Sequence, residues 1–485
     1  MVGRAFAGRW SGNALKKKSG TLKALETNPI DTIWSDRPSD PINPAMLHDE
    51  RYAGESSAAK RERIASKIAE SGADYLVVTA ADNVAWLLNI RGADIPFNPL
   101  VLSTAILKSD STAEWFVDER KLGPDLRLAN AITPRPYTAF LDRLSEIGSQ
   151  GAKVLIDPKR THQAFLDTVE KAGGKVIEGD DPSVLAKAIK NATEIQGARA
   201  AQIRDGAAVT RFLRWLDQIP LDGSETELSA AAALLAERAK DPLFQGESFP
   251  AISAQGPHAA IPHYRVTEES DRPLTADSIF LIDSGGQYLD ATTDITRTVG
   301  LGNVSQEMRE RFTLVLKGHI AIATAVFPKG TNGSQIDALA RQALWNRGLD
   351  FDHGTGHGIG SFLCVHEGPQ RISKSGPGAN FEPGMIVSNE PGYYKADAYG
   401  IRIENLVLVA EQPKPENAER ELLGFETLTL APIDRRLVDP SLLTEGEIAW
   451  LDTYHARVRE ELTPLLDHET AAWLERATSA LNSTS

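Results

Sequence analysis

Apolar strand patterns that run into acidic residues are the feature that most restricts the fold of this 485-residue chain. The segment IFLIDSGGQYLDATTDITRTV ends an apolar run at Asp283 and places Asp294 within a threonine-rich strand pattern. A hairpin of that length brings the two carboxylates side by side. Similar strand patterns carry Glu390 and Glu404, and Arg402 shares a strand face with Glu404. Buried carboxylates repel one another unless a cation compensates them, so the pattern predicts a domain folded around a cation site.

Four histidines, His263, His353, His357 and His366, fall in the same part of the chain as these acids. The stretch HGTGHGIG, which contains two of them, is disfavoured as a helix because each interior glycine costs about 1 kcal/mol relative to alanine. Its glycines instead allow backbone and imidazole to approach a crowded site. Four acids and one histidine are a natural ligand set for two divalent metal ions. Oxygen-rich ligation with one imidazole leaves Mn²⁺, Co²⁺ and Zn²⁺ open.

Each of these residues also has a purely structural interpretation when it is taken alone. An acid at a strand end often forms a turn, and Glu390 precedes a Pro-Gly pair. Arg402 and Glu404 could form an exposed ion pair of little energetic value. A histidine is more often a core or surface group than a ligand. Their joint occurrence on the strands of one domain favours the metal site.

Composition and missing motifs exclude several other classes of protein. The formal net charge of −14 argues against nucleic acid as a partner, since phosphate binding needs a basic face. No apolar run approaches the roughly 20 residues that span a bilayer. The single cysteine, Cys364, excludes an intramolecular disulfide, and its neighbours SFLCV predict a buried strand. The chain lacks the glycine fingerprint of dinucleotide-binding proteins, a Walker loop, a serine-hydrolase elbow and a zincin motif.

The hydrophobic pattern of the sequence predicts successive regions that differ in secondary structure. Residues from about Lys60 to Asn191 alternate helical and strand patterns, which is typical of an α/β domain. A long helical segment over 190–219 opens a second region. From Ser253 to Val409 short apolar runs mix with two helices, which indicates an α+β domain. The tail from Leu428 onward is amphipathic and helical.

The order of the five predicted ligands resembles that of the pita-bread metallopeptidases, which include methionine aminopeptidase, prolidase and aminopeptidase P. These residues are Asp283, Asp294, His357, Glu390 and Glu404. The strings ISAQGPHAAIPHYR, HGTGHGIGSFLCVHEGP and NEPGYYKADAYGIRIENLVLV look like the large, eukaryotic-type Xaa-Pro aminopeptidases. The strings IWSDRP and VTAADNVAWLLNIRGADIPFNPL resemble the middle domain of that subgroup.

The resemblance implies an α/β creatinase-like domain, then an α+β pita-bread catalytic domain and a short helical C-terminal extension. We expect a remnant of a first N-terminal domain over 1–45, the creatinase-like domain over 46–192, the catalytic domain over 193–420 and the extension over 421–485. Members of the subgroup carry two similar domains before the catalytic one, and only part of the first is expected here. This shortening leaves a homodimer open.

The resemblance also implies a role for each site residue. Asp283 would hold one metal ion, Asp294 and Glu404 would bridge both ions, and His357 and Glu390 would bind the second. The substrate site and its hydrogen-bond network would be lined by the remaining residues, namely His263, His353, His366, Tyr394 and Arg402. A metal-bridging hydroxide would attack the carbonyl of the first substrate residue, with Glu390 as proton acceptor and shuttle.

The predicted activity is hydrolysis of the bond between an N-terminal residue and a following proline. A prolidase acting on Xaa-Pro dipeptides and a catalytically inactive pita-bread binding module are the alternatives. The expected cofactors are two divalent ions, with Mn²⁺ preferred over Co²⁺ and Zn²⁺. The expected partners are peptides with proline in second position, with neither nucleic acid nor membrane.

The N-terminal stretch lacks the apolar core of a secretory signal and is rich in Arg and Lys, which leaves a transit peptide open. The prediction is a cytoplasmic protein.

Overall fold

The computed structural model describes residues 28–124, 126–376 and 378–481. The chain forms two compact units, Met1–Lys187 and Ala188–Ser485. Most of the expected remnant over 1–45 lies outside the described residues, which begin at Asn28. No helix within the described ranges is long and apolar enough to cross a membrane.

The first unit is an α/β structure, as its alternating patterns predict. Its strands are β1 (Met46–Leu47), β2 (Tyr75–Val78), β3 (Ile90–Arg91), β4 (Thr104–Lys108), β5 (Ala113–Val117), β6 (Ile132–Pro136), β7 (Lys153–Ile156) and β8 (Lys175–Glu178). Its helices are α1 (Pro29–Ile33), α2 (Glu50–Ala53), α3 (Ser57–Glu70), α4 (Ala81–Leu88), α5 (Phe140–Ser149), α6 (Gln163–Lys171) and α7 (Pro182–Ala188), which ends at the boundary. Six strands form a mixed sheet in the order β6-β5-β4-β2-β7-β8.

The core of this unit lies between the sheet and helices α5 and α6. Phe140 of α5 packs edge to face on Phe116 of the sheet and on Phe165 of α6, with ring centroids 5.0 Å apart in both pairs. Helix α3 begins after Ser56, whose side chain accepts a hydrogen bond from the Ala59 N–H group. The buried strands and amphipathic helices therefore produce the layered structure that their periodicity predicts.

The second unit contains the long helical segment, the strand-rich region and the helical tail. Its helices are α8 (Ala192–Gln218), α9 (Glu227–Arg238), α10 (Gln306–Ala323), α11 (Gly333–Trp345), α12 (Glu445–Leu462) and α13 (His468–Ala477). Its first strands are β9 (Asp222–Thr226), β10 (Phe244–Glu247), β11 (Ile252–Gln255), β12 (Pro273–Thr275), β13 (Ser278–Ser284), β14 (Gly286–Tyr288), β15 (Ala291–Thr292) and β16 (Ile295–Leu301). The remaining strands are β17 (Phe327–Pro328), β18 (Gly356–Gly358), β19 (Glu367–Ile372), β20 (Ile386–Asn389), β21 (Gly392–Lys395), β22 (Tyr399–Arg402), β23 (Asn405–Gln412) and β24 (Leu422–Thr427).

Two sheets of this unit carry the predicted ligands. One has the order β11-β13-β16, and the other has the order β17-β24-β23-β20-β18-β19. Strands β13 and β16 pair antiparallel with Asp283 opposite Thr296, so the predicted hairpin is present, with the short strands β14 and β15 in its loop. The residues of β13 and β16 are almost all buried, which explains their continuous apolar and threonine composition.

Helices α10 and α11 pack on the larger sheet and close its core. Phe312, Val315 and Ile320 of α10 join Ile336 and Leu344 of α11 in one buried cluster, together with β20 and β23 residues. The apolar faces of these amphipathic helices therefore bury the sheet that carries the site.

The prediction of a buried strand around Cys364 was wrong. Residues 361–363 form a bend, Cys364 is half-buried, and Phe362 adopts a left-handed backbone with φ of +47°. Four apolar residues in a row suggested a strand, but the Cys364 carbonyl accepts a hydrogen bond from Gly360 N–H and closes a turn. Apolar composition here reflects burial of a loop beside the site, because a short apolar run does not distinguish a strand from other buried segments.

Candidate metal centre

A cavity of about 300 Å³ in the second unit gathers nearly all the site residues that the sequence predicts. The apolar lining residues include Phe249, Ile252 and Pro262. The polar lining residues are Asp283, Asp294, His263, His353, His357, His366, Glu390, Arg402 and Glu404. Tyr394 does not line the cavity but contacts two residues that do. A cavity with both charged and apolar lining residues suits a small polar ligand that carries an apolar group.

The four carboxylates lie at the ends of strands and in the breaks between them. Asp283 is the penultimate residue of β13, and Asp294 directly precedes β16. Glu390 directly follows β20, and Glu404 lies in the two-residue break between β22 and β23. The sequence pattern had placed Asp294 and Glu404 inside strands. Their position in irregular backbone lets side chains from two sheets converge on one cavity.

Three ligand side chains come together closely enough to hold one ion. Ligand atoms of Asp294, His357 and Glu404 all lie within 4.8 Å of one another. The His357 Nε2 atom is 3.5 Å from both an Asp294 and a Glu390 carboxylate oxygen. The Nδ1 atom of His357 is 3.0 Å from the Gly358 carbonyl, which can only accept, so Nδ1 carries the proton. The Nε2 lone pair therefore faces the acids, as a metal ligand requires.

Arg402 holds Asp283 at the side of this cluster. Its Nη2 atom donates to Asp283 Oδ2 at 2.5 Å, and its Nε atom donates to Thr296 Oγ1 at 3.1 Å. The Thr296 hydroxyl in turn donates to Glu404 Oε2 at 2.9 Å. Asp283 Oδ1 is buried and has no hydrogen-bond partner among the described residues. A buried carboxylate oxygen without a partner is costly, and a metal ion beside it would satisfy it.

Tyr394 connects Arg402 to the first histidine of the HGTGHGIG stretch. The Tyr394 hydroxyl accepts from Arg402 Nη1 at 2.6 Å and lies 2.8 Å from His353 Nε2. His353 Nδ1 faces the Gly354 carbonyl at 2.8 Å, so Nδ1 carries the proton and Nε2 accepts from the hydroxyl. Arg341 donates to the His353 carbonyl at 2.9 Å. His353 thus has a defined tautomer and position outside the metal ligands.

The glycines of this stretch are required by close approach of neighbouring backbone. A Cβ atom on Gly356 would lie 1.9 Å from the Ser388 carbonyl oxygen, and one on Gly358 would lie 2.2 Å from the Glu367 carbonyl oxygen. Real Cβ atoms do not approach so closely, because the atoms would overlap. The two glycines therefore allow β18 to place His357 directly between its neighbouring strands.

His263 and His366 lie on the exposed side of the cavity. The ring of His366 is 4.2 Å from that of His357, centroid to centroid. Burial, together with the charge of His357, lowers the pKa of His366 to about 4. Burial, together with the charge of Arg402, also lowers the pKa of His353 to about 4, so both imidazoles are neutral at physiological pH. The one N–H group of His353 is already donated to the Gly354 carbonyl.

Burial and mutual repulsion make the carboxylates hard to ionise without a cation. Burial raises the pKa of Asp294 well above its ordinary value, and the neighbouring charges of Glu404 and Asp283 add to this. Burial also raises the pKa of Glu404, with the Glu390 charge as the next cause. Burial raises the pKa of Glu390 to about 7. Several buried acids that resist ionisation around one cavity are the signature expected of a cation site.

The residues present fit a pair of divalent cations. Within the described ranges, Arg402 is the one guanidinium or ammonium group within salt-bridge distance of the four carboxylates. Carboxylate oxygens with one imidazole are ligands that hard and borderline divalent ions accept. The unpartnered Asp283 Oδ1, the Nε2 lone pair of His357 and the raised pKa values of Asp294 and Glu404 agree with this fit.

The structure adds residues that the sequence did not single out. Ser388 donates to Glu390 Oε1 at 3.2 Å and accepts from His357 N–H at 3.0 Å, so it ties two ligands together. Asp337 accepts from the Thr355 hydroxyl at 2.7 Å and forms a buried ion pair with Arg341. These isolated polar residues carry no motif, and only their position in the fold reveals their role.

In the metal-free protein, we expect the contribution of Asp294, Glu404 and Glu390 to thermal stability to decrease as the pH rises from about 4 to about 8. The folded-state pKa values of Asp294, Glu404 and Glu390 lie above their unfolded values, so their contribution to stability is present below pH 4. It is lost as the pH rises through the folded pKa, which is about 7 for Glu390. Differential scanning calorimetry of chelator-treated protein measures this directly.

The control for this prediction is the Glu390→Gln variant, which removes one of these titrating carboxyls. As the pH rises over the same range, its melting temperature is expected to increase relative to that of the unsubstituted protein. Addition of Mn²⁺ at pH 8 is expected to restore the melting temperature of the unsubstituted protein, since an ion that binds only the folded state stabilises it. A difference in melting temperature between the two metal-free proteins that stays constant from pH 5 to pH 8 would contradict the repulsion described above.

Comparison with known proteins agrees with this geometry. Residues 196–411 match the model of metallopeptidase family M24, residues 36–194 match the creatinase/prolidase N-terminal domain, and residues 421–481 match the C-terminal region of peptidase M24. These matches confirm the predicted fold class of a creatinase-like domain, a pita-bread domain and a helical C-terminal region.

Comparison with individual proteins identifies the subgroup of M24 metallopeptidases that this chain resembles. The chain is 43% identical over 481 residues to a probable Xaa-Pro aminopeptidase P of Laccaria bicolor, covering 96% of this chain and 74% of that protein. The crystal structure of the X-prolyl aminopeptidase from Caenorhabditis elegans, described as a cytosolic enzyme with a di-nuclear active site, has a TM-score of 0.91 and 36% identity. That match covers 97% of this chain and 78% of the other. The Xaa-Pro dipeptidase from Bacillus anthracis has a TM-score of 0.63 and 24% identity, over 78% of this chain and 99% of its own, which shows a shared fold alone. The chain therefore belongs to the Xaa-Pro aminopeptidase P family of the M24 metallopeptidases.

Proposed function

We propose that this chain is a metal-dependent exopeptidase that releases the N-terminal residue from peptides whose second residue is proline. The convergence of Asp294, His357 and Glu404 within 4.8 Å in one cavity is the observation that carries this proposal. Membership of the family supports the reaction class. The proposed catalytic domain spans 193–420, and the helical extension spans 421–485.

The proposed ligands divide between two ions. Asp283 would hold one ion, His357 and Glu390 would hold the other, and the carboxylates of Asp294 and Glu404 would contribute to both. Two divalent ions, when bound, polarise a substrate carbonyl and lower the pKa of water. Mn²⁺ is the proposed native metal, because carboxylate-rich ligation with one imidazole suits it and the metal available in the cell decides among the alternatives.

Glu390 is the proposed proton acceptor and shuttle. Its carboxyl group lines the cavity and has a pKa raised by burial to about 7, so it can exchange a proton near neutral pH. Ser388 fixes one of its oxygens at 3.2 Å. Bound cations would lower this pKa, which favours the charged form that accepts a proton.

The histidines outside the ligand set are proposed to act on the substrate. His353, His366 and His263 line the cavity around the acids without belonging to the closest ligand group. The N–H group of a neutral His366 can donate a hydrogen bond to a developing oxyanion or to the leaving proline nitrogen, whereas the N–H group of His353 is already donated to the Gly354 carbonyl. Tyr394 and Arg402 hold His353 and Asp283 in place through the hydrogen bonds described above.

The apolar lining residues of the cavity are the proposed contact for the proline ring. Phe249, Ile252 and Pro262 lie beside the ligand cluster, and a pyrrolidine ring is an apolar group of matching size. Proline supplies no amide N–H, so recognition by apolar contact is the means available to the cavity. We also propose a cytoplasmic location, in keeping with the likeness to the C. elegans enzyme described as cytosolic.

Substrate length tests the proposal against the prolidase alternative. Chelator-treated protein is supplied with Mn²⁺ and offered an Xaa-Pro-Xaa tripeptide, an Xaa-Pro dipeptide and an Xaa-Ala-Xaa control. We expect metal-dependent release of the first residue from the Xaa-Pro-Xaa tripeptide, at a higher kcat/KM than for either other peptide. Cleavage confined to the dipeptide would establish a prolidase instead. No cleavage by protein that has bound two ions would favour a binding module.

A further inference from the structure

Arg297 is a fully buried guanidinium on β16, the strand that directly follows Asp294. No carboxylate of the described residues lies within salt-bridge distance of it; its contacts are hydrogen-bond acceptors. Its six acceptors lie between 2.7 and 3.0 Å and belong to Thr296, Glu404, Asn405, Ala431, Pro432 and Tyr454. A buried cation without a carboxylate is costly unless its donors are satisfied. The five N–H groups of Arg297 are satisfied completely, with one of them shared.

The acceptors of Arg297 come from the segments that position the bridging carboxylates. Arg297 Nη1 donates to the Thr296 carbonyl at 2.9 Å and to the Glu404 carbonyl at 2.7 Å. The Glu404 N–H group donates back to the Thr296 carbonyl at 3.2 Å. One guanidinium nitrogen therefore joins the strand that follows Asp294 to the strand break that contains Glu404.

The bond from Arg297 is one of three hydrogen bonds that, among the described residues, hold Glu404, together with those that its N–H group and its carboxylate form with Thr296. Glu404 lies outside regular strand, between β22 and β23, and its carboxylate accepts a hydrogen bond from Thr296 Oγ1. The position of its backbone thus decides where its oxygens face the cavity. A shift of a few tenths of an ångström between the two segments would alter the distances to both ions.

The other side of Arg297 is held by the C-terminal helical region. The Tyr454 hydroxyl, on helix α12, accepts from Arg297 Nη2 at 3.0 Å and lies 3.0 Å from the Ala431 carbonyl and 3.1 Å from the Thr429 carbonyl. The ring of Tyr454 is buried and stacks on Trp450, with centroids 5.3 Å apart and planes 3° from parallel. A rigid phenol thus limits the movement of the guanidinium.

We propose that Tyr454, acting through Arg297, is a positioning residue for the bridging carboxylate Glu404. Through these hydrogen bonds the helical C-terminal region fixes the geometry of the metal centre, although it does not touch the cavity. This inference rests on the proposed function, since it assumes that Glu404 binds both ions. Partners that orient metal ligands from outside the coordination shell typically change metal affinity or activity by 10- to 100-fold when they are removed.

The Tyr454→Phe variant tests the inference, because it removes only the hydroxyl and keeps the ring that stacks on Trp450. The matched control is His455→Leu on the same helix. His455 Nε2 accepts from Ile433 N–H at 3.1 Å, so this control also loses a buried hydrogen bond to the segment that follows β24, but not one to Arg297.

Two measurements distinguish a positioning role from a structural one. Isothermal titration with Mn²⁺ is expected to show at least tenfold weaker binding for Tyr454→Phe and unchanged binding for His455→Leu. The visible absorption spectrum of the Co²⁺-loaded protein is expected to change only for Tyr454→Phe, with kcat reduced more than KM is altered. Thermal melting of both metal-free variants checks that each is folded.

The possible outcomes test the positioning role and the proposed function independently of each other. Failure of the unsubstituted protein to bind two ions would contradict the proposed function. Two-ion binding by the unsubstituted protein, together with unchanged Mn²⁺ affinity and Co²⁺ spectrum in Tyr454→Phe, would overturn only the positioning role. Equal losses in both variants would overturn it as well, because they would show a general effect of the helix.

Discussion

Replacing Asp294 with Asn, or Glu404 with Gln, is expected to remove metal binding and peptidase activity together. Each amide keeps the size of the acid but loses its charge, and each position is assigned to both ions. Two-metal catalysis stabilises several kcal/mol of developing charge, so the loss in kcat/KM is expected to be about a thousandfold or more. Inductively coupled plasma mass spectrometry of the purified variants measures the metal content, and tripeptide hydrolysis measures the rate.

Asp181→Asn is the matched control for these two variants. Asp181 is also a buried carboxylate with a raised pKa, caused by burial, but it lies in the first unit and accepts hydrogen bonds from Ser183 and Asn83. It is expected to keep both ions and full kcat, whatever its effect on the melting temperature. Full metal content in Asp294→Asn or in Glu404→Gln would show that the bridging assignment is wrong.

Replacing His366 with Ala is expected to leave both ions bound while kcat falls by about 100-fold. Loss of one donor to a developing oxyanion typically costs 10²- to 10³-fold in rate. His366 lines the cavity on its exposed side and is absent from the group of ligand atoms that lie within 4.8 Å of one another. Its removal should therefore act on the reaction and not on the metal centre.

The exposed His468 at the start of α13 provides the control, since His468→Ala removes an imidazole far along the chain from the cavity. Mn²⁺ affinity is measured by titration and kcat with a saturating Xaa-Pro-Xaa peptide. Unchanged kcat in His366→Ala would mean that this imidazole is a structural group at the cavity rim. Loss of the ions would instead make it a ligand.

Much of the fold and of the site could be predicted from local patterns. Acids placed at the ends of apolar runs predicted the hairpin that carries Asp283 and Asp294, and the structure contains it. Glycine spacing predicted close approach around His357, and the Cβ distances at Gly356 and Gly358 explain it physically. These features succeed because strand alternation and steric exclusion act over a few residues.

Other features depend on contacts between segments that are far apart in the sequence, and no local sequence pattern predicts them. Arg297 and Tyr454 are 157 residues apart, and the TDITRT string gives no hint that its arginine meets a C-terminal helix. Phe249, Ile252 and Pro262 resemble any apolar loop residues until the cavity is formed. The SFLCV segment failed as a strand for the related reason that burial, and not pairing, selects its apolar residues.

The metal centre itself is tested most directly by X-ray diffraction from a crystal of Mn²⁺-loaded protein, with an anomalous difference map recorded at the manganese edge. The account predicts two peaks about 3.5–4 Å apart in this cavity. Oxygens of Asp294 and Glu404 should lie within coordination distance of both peaks, and His357 Nε2 should contact one. A single peak, or two peaks that do not share Asp294 and Glu404, would contradict the two-metal centre proposed for this chain.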